Sequence, residues 1–204
     1  MTQFTEPTGD VIGTFLPQIL ENEAKGILSD LAIQPNLAFE FMDFTLDDTR
    51  RAIKHVVGIF EECFHDGHLK VIVSHADGTL YGYALVFILP VRGMAAYCHK
   101  IFVYEPYRGR GIGRQMLSGV LVGFPEVCLI CSPELCSFYT KAGLSYKGDF
   151  SVSQNQSMFT LSSGLYEGLS IMSTVDTTGQ EPMFLLNDDD VRALLAIRYG
   201  NMGN

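Results

Sequence analysis

The sequence predicts an α/β fold of the α+β, mixed-sheet kind, and three observations predict it. The apolar segments run strands first, then strand, helix, strand, helix, strand, an order that indicates a mixed sheet with helices packed on it. Two apolar runs flank Asp77 and Gly78, residues suited to the positive-φ positions of a tight hairpin. A glycine- and arginine-rich turn at 108–113 joins an apolar strand to an amphipathic helix.

Residues 1–36 read as an N-terminal extension with a helix near Leu16–Leu31. FEFMDF (39–44) alternates and predicts a strand. Thr45 with Asp48 has the spacing of a capping box and opens a helix from Leu46 to about Phe64, with Ile53, Val56, Val57 and Phe60 as its apolar stripe. The stretch 69–89 predicts the hairpin, and AAYCHKIFVY (95–104) the strand after it; Pro106 cannot donate to a ladder and ends that strand. Gly111–Phe124 then predicts a helix and 127–131 a strand. Pro133–Ala142 is a short helix with Pro in its first turn and Gly143 as its stop. Leu144–Phe150 and Ser157–Leu161 are the expected last strands of a domain covering 37–162.

Beyond it, 163–204 is expected to be a C-terminal packing or dimerisation element. MFLL (183–186) predicts a short strand. Asp188, Asp189 and Asp190 open a helix whose dipole favours negative charge at that end, with Asp188 as the cap. Val191, Leu194, Leu195 and Arg198 fall on one face of that helix, which must be covered by the domain's own sheet or by a second copy; the expectation leans to a homodimer.

Composition narrows the function. The 204 residues suit one domain with extensions, and 47% apolar content is enough for a substantial core. No apolar run reaches the roughly 18 residues of a membrane span, and MTQFTEPTGD lacks the basic and apolar regions of a secretory signal. The expectation is a cytoplasmic protein with no membrane partner. A net charge of −9 argues against a nucleic-acid partner, which would demand a basic face. Cys128 and Cys131 form a CxxC inside an apolar strand, where residues i and i+3 face opposite ways, so the pair is read as buried structural thiols and no metal site is expected.

Arg108-x-x-Gly111-x-Gly113 stands where a helix begins. Unpaired N–H groups and the positive end of the dipole suit a pyrophosphate, glycine lets backbone approach it, and arginine adds charge-assisted hydrogen bonds. A P-loop would need Gly-Lys-Ser/Thr where Gly-Ile-Gly stands, and a dinucleotide fingerprint would need GxGxxG where GxGxG stands. The run of strand, Pro, aromatic, R-G-R-G-I-G and amphipathic helix resembles the acetyl-CoA motif of the GNAT superfamily of N-acetyltransferases. SPELCSFYTKAGL (132–144) resembles that superfamily's second motif, in the family's order and spacing.

The resemblance covers about 37–162 and implies a GNAT-like acyl-CoA N-acyltransferase fold. It implies acetyl transfer from acetyl-CoA, the co-substrate, to a small-molecule or peptide amine by direct attack in a ternary complex, with no metal. The strand before the turn would splay from its neighbour, so that Phe102 and Val103 meet the pantetheine arm as an added strand would. The Val103 N–H would stabilise the tetrahedral oxyanion. Arg108, Gly109, Arg110, Gly111, Ile112 and Gly113 would hold the pyrophosphate, with Arg114 beside them. Tyr139 matches the tyrosine that protonates the departing thiolate; by residue type alone, Phe138 and Tyr139 also suit the core of a short helix. Two departures stand out. Ser132 occupies a position where the family often has Asn, and the strand lacks the family's Glu base. His99 is the one titratable group on that strand whose ordinary pKa lies near working pH, four residues before Val103 and so expected on the same face, as a base or as a packed histidine. The alternative to an enzyme is a non-catalytic acyl-CoA-binding sensor or interaction module on the same scaffold.

Overall fold

A computed structural model of the chain describes residues 9–88, 95–152, 157–175 and 185–200. They divide into two compact units. The first holds the described residues among 1–19, 63–149 and 169–184, and the second those among 20–62, 150–168 and 185–204.

The first unit is a six-stranded mixed sheet with one long helix on it. β1 (Leu69–Ala76) and β2 (Thr79–Ile88) form the expected hairpin, with Asp77 and Gly78 both at positive φ. β3 (Ala95–Val103) pairs antiparallel to β2, and α4 (Ile112–Gly123) carries the chain to β4 (Glu126–Cys131), parallel to β3. α5 (Cys136–Thr140) leads to β5 (Ser145–Asp149) and β6 (Ser170–Ser173), and the strand order is β1-β2-β3-β4-β6-β5. The mixed-sheet α/β fold expected from the sequence is the one found. On one sheet face, Met116, Leu117 and Val120 of α4 pack into a cluster with Ala84, Val86, Ala96, Cys98, Leu129 and Met172. At roughly 1.5–3 kcal/mol for each fully buried large apolar side chain, that cluster supplies much of what orders the sheet.

In the second unit, α1 (Gly9–Ala32) contributes its residues from 20 onward, followed by α2 (Ala38–Met42) and α3 (Leu46–His65). α1 starts well before Leu16 and runs through Pro17, which forgoes one intrahelical bond. The Thr45–Asp48 capping box forms: each backbone N–H meets the other side chain, at 2.9 and 3.1 Å. α6 (Asp188–Tyr199) buries Val191 and Leu194, and its Arg198 reaches Asp43 at 2.8 Å.

Four local expectations are corrected. FEFMDF is helix and loop, not strand: Phe41 and Phe44 meet at helical spacing, 4.9 Å between rings, while Phe39 is 81% exposed, so the alternation does not map onto an inside and an outside. Ser157–Leu161 is not a strand either. It is a turn beginning with the 3-10 helix Ser157–Phe159, and the N–H groups of 160–162 go to the Asp188 carboxylate at 2.7–3.4 Å rather than to a ladder. Asp188 is therefore taken, and the helix cap is Asn187, in a reciprocal box with Asp190. Leu185 and Leu186 are not strand; Met183 and Phe184 lie outside the described residues. Among the described residues no helix is long and apolar enough to cross a membrane.

Candidate functional site

The site is the place where β3, α4 and α5 converge, and it begins with an interrupted ladder. β3 and β4 pair over Ala95↔Glu126, Ala96↔Val127 and Tyr97↔Cys128, and there the register ends although both strands continue. Across β3 the β2 register slips at the same place: Val86 faces Cys98 and Leu85 faces Lys100, so His99 is an inserted, bulged residue. A bulge bends its strand and sharpens the local twist, which turns β3 away from β4. The splay expected before the turn is thus present.

The bulge also sorts the side chains. Ala96 and Cys98 before it, and Ile101 and Val103 after it, all pack on the cluster beneath α4. His99 lies against Tyr97 and Phe87, with ring centroids at 6.0 and 5.7 Å, on the face away from that cluster. The inserted residue breaks the two-residue alternation, so His99 and Val103 do not share a face as their spacing implied. Phe102 is also on His99's side, stacked on Tyr83 at 5.3 Å.

Backbone direction at the end of β3 is fixed by one bond. The Tyr104 N–H donates to the Tyr81 carbonyl on β2 at 3.0 Å. Successive residues of an extended strand point their N–H groups to opposite sides, so the Val103 N–H points toward the β4 side. β2 can lie this close because Gly82 faces Val103: a Cβ there would stand 2.5 Å from the Phe102 carbonyl oxygen.

The turn follows. Glu105–Tyr107 is a short 3-10 helix, Gly109 has φ 75° and Gly111, the N-cap of α4, has φ 79°. Both glycines occupy the left-handed region, where other residues pay roughly 1–2 kcal/mol. The first α4 bond runs from the Gln115 N–H to the Gly111 carbonyl. The N–H groups of Ile112, Gly113 and Arg114 precede it and form the donor end of the helix. Among the described residues, no atom beyond its chain neighbours lies within 4 Å of where a Cβ would stand on Gly111, and only ordinary contacts await one on Gly113, so these residues leave the space above the turn open.

Two of the three arginines brace the turn. Arg108 donates through Nε to the Val103 carbonyl at 3.0 Å, tying the end of β3 to the loop. Arg110 donates to the Pro106 carbonyl at 3.0 Å and lies 5.5 Å over Tyr107, which itself packs 4.4 Å from Tyr81. Arg114 is exposed on the first turn of α4.

Tyr139 on α5 is buried in the α4-side cluster, near the Cys98 and Cys131 thiols. Burial, reinforced by those thiols, pushes its hydroxyl well above the usual phenol range, so it stays protonated. Burial likewise pushes Cys98 and Cys131 up to about 12, and both are neutral thiols. The Glu134 carboxyl is held below its ordinary range first by its own backbone N–H and then by the side chain of Ser132, which stands where the family often has Asn. Sequence reasoning proposed Arg108, Gly111 and Tyr139 for one site and did not anticipate the thiols beside Tyr139. Nothing local in the sequence brings Cys98 or Cys131 to Tyr139.

The sequence profile of the acetyltransferase (GNAT) family matches residues 39–128, from α2 through the turn and α4 into β4. Residues 39–128 match a GNAT acetyltransferase domain. Among solved structures, the GNAT fold of this chain is similar to that of an acetyltransferase from Thermus thermophilus (14% identity, TM-score 0.49, covering 80% of this chain and 90% of that one). It is similar to a protein assigned to the GNAT family from Desulfovibrio desulfuricans (18%, 0.46, 79% and 89%). It is similar as well to the PaiA N-acetyltransferase from Thermoplasma acidophilum in complex with coenzyme A (14%, 0.46, 78% and 91%). No curated protein matches the chain. Acyl transfer is the chemistry of the GNAT family, and the match over 39–128 supports that class of activity.

Proposed function

We propose that the chain moves an acetyl group from acetyl-CoA to the nitrogen of a small-molecule or peptide amine. The observation that carries this reading is the coincidence of two features: a left-handed Gly109/Gly111 turn opening α4, and a β3 edge left without β4 partners beyond Tyr97. The N–H groups of Ile112, Gly113 and Arg114 would take the pyrophosphate oxygens, with Arg114 adding charge. Arg108 and Arg110 keep the turn in shape. The open edge from Cys98 to Val103 would pair with the amide-bearing pantetheine arm as a strand pairs with its neighbour.

In this reading the Val103 N–H, aimed into the gap, donates to the carbonyl oxygen as it gains charge, an interaction stronger in the transition state than before it. Tyr139 holds its proton firmly, so its contribution is a hydrogen bond to the departing sulfur, with proton delivery following as charge develops there. His99 would take the amine's proton from the opposite face of the sheet, directly or through water. Acid and base then flank the reacting carbon, which suits an attack and a departure on different sides.

The test pairs two measurements: CoA affinity by calorimetry and thiol release from acetyl-CoA across a panel of amines. Binding with acetylated product supports the enzyme. The second reading, a non-catalytic acyl-CoA-binding module, is favoured by the missing strand carboxylate and by the engagement of Ser132 with Glu134. It predicts binding with no thiol release for any amine.

A further inference from the structure

We propose that Cys131 and Cys136 form a redox modification site, a dithiol that a hydroperoxide closes to a disulfide at the base of the helix carrying Tyr139. Cys131 is the last residue of β4 and is buried in the cluster under α4. Cys136 is the first residue of α5, is half-buried, and packs against the same cluster. Between them Ser132 is extended and Pro133–Leu135 makes a 3-10 turn, closed by the Leu135 N–H on the Ser132 carbonyl at 2.9 Å. That turn folds the chain back and brings both thiols to the same cluster, where Cys136 adds to the burial that raises the Cys131 thiol. Cys98 and Cys128 are both buried and offer a peroxide no comparable entry.

The exposures assign the order of events. Cys136 meets the oxidant first: its sulfur attacks a peroxide oxygen, the O–O bond breaks, and the departing hydroxide takes a proton to become water. Cys136 is left as a sulfenic acid. The Cys131 sulfur then displaces that hydroxyl, forming S–S and breaking S–O, while its own proton leaves with the hydroxide as a second water. Two thiols lose two electrons and one hydrogen peroxide is reduced to two waters.

Burial holds the Cys131 thiol at about 12, which protects it from direct oxidation and makes it a poor leaving group once bonded. Reduction is therefore favoured by attack on the buried Cys131 sulfur with Cys136 leaving, a slow route that gives the disulfide persistence. Cys136 and Tyr139 are three residues apart and share a face of α5. A covalent bond that draws Cys136 onto β4 moves the Tyr139 hydroxyl relative to Cys98. The loss of turnover this implies rests on the acetyl-transfer reading; the bond itself does not.

The experiment treats the full chain with hydrogen peroxide, alkylates the remaining thiols, and maps each cysteine by mass spectrometry beside a turnover assay. Expected is joint loss of labelling at Cys131 and Cys136, a linked peptide lighter by the two hydrogens, and turnover lowered about a hundredfold or more, the scale of a displaced general acid. A dithiol reductant restores both readouts, and Cys136→Ser keeps Cys131 labelled and turnover intact through the treatment. Oxidation of Cys136 alone, with Cys131 still labelled, overturns the site. So does a Cys136→Ser protein that peroxide inactivates as it does the wild type. If the chain turns over no amine at all, the labelling pattern still decides the disulfide.

Discussion

Tyr97 on β3 and Cys128 on β4 are the last partners in the parallel ladder between their strands. Two residues further, β3 inserts His99 against β2, while β4 keeps its pairing to β6 through Leu129↔Met172 and Cys131↔Ser170. The fork therefore has an identifiable cause. β4 is held straight by its other neighbour, and β3 is bent by an extra residue, so the gap opens between them rather than at the sheet's edge.

Gly82 is the contact that lets the bent strand stay against β2. Its missing Cβ would stand 2.5 Å from the Phe102 carbonyl oxygen and 3.2 Å from the Val103 Cα, both backbone atoms that cannot turn aside. Gly82→Val should cost about 1–3 kcal/mol by overpacking and should shift the end of β3. Urea unfolding checks the first effect and CoA calorimetry the second. A variant with wild-type midpoint and affinity would show that β3 takes up the methyl groups without moving.

Gly111→Val tests the turn from the other side. The protein leaves room for a side chain there, so the fold should survive with roughly 1–2 kcal/mol of backbone strain. The open space is where a phosphate would sit, and CoA affinity should disappear. Undiminished affinity in a folded variant would remove the turn from the CoA site.

Tyr139→Phe removes a hydroxyl that burial keeps protonated. CoA affinity should hold while turnover falls by ~10²–10⁴, the range for a lost general acid or base. Equal turnover would return Tyr139 to a packing role. The same burial has a stability consequence. Cys98, Cys131, Tyr139 and Tyr166 all bind their protons more tightly in the folded chain than in the unfolded one. Their contribution is fully present below the ordinary thiol pKa of ~8.5 and is lost as pH rises toward their raised values. The urea midpoint should fall steadily from about pH 9 to 11; a flat midpoint across that window would contradict their burial.

His99→Gln examines the base. If His99 takes the amine's proton, the acidic limb of the kcat/KM profile belongs to it and should vanish in the variant, together with most of the rate. A variant that keeps limb and rate leaves water or another group in that role.

Much of this was legible in the sequence because it depends on local chemistry. Glycines at 109 and 111 demand a turn, Asp77-Gly78 a hairpin, and Thr45 with Asp48 a cap, and each formed. What escaped depends on distant partners. Nothing in the spacing of His99 announces a bulge, because the inserted residue is defined only by its register against Val86 and Leu85. β6 was missed because its ends, Ser170 and Ser173, are buried polar residues that satisfy no apolar pattern. Phe39, Phe41 and Phe44 misled in the opposite way, since alternation describes the sequence but not the exposures.

Asp188 shows how one misread residue changes what its loss would do. As an N-cap it would have been worth about 1 kcal/mol, and a neighbouring polar residue could have replaced it. Instead Asn187 caps α6, and the Asp188 carboxylate, 1% exposed, accepts from the backbone N–H groups of Thr160, Leu161 and Ser162. It is thus the link between the start of a helix and a turn some 26–28 residues earlier in the chain. Asp188→Ala strands those donors away from water, at a cost of about 1–3 kcal/mol. Asp188→Asn should recover little, because an amide offers one acceptor oxygen and turns an NH2 group toward the remaining donors. Asp189 is the control: it lies beside Asp188 on the same helix, its side chain is 82% exposed, and its partner is the surface Arg192 at 2.8 Å. Asp189→Ala should stay within about 0.5 kcal/mol of wild type. Urea unfolding of the three variants separates the roles. Equal losses at 188 and 189 would mean that both act only through the helix dipole, and the contact to 160–162 would then contribute nothing.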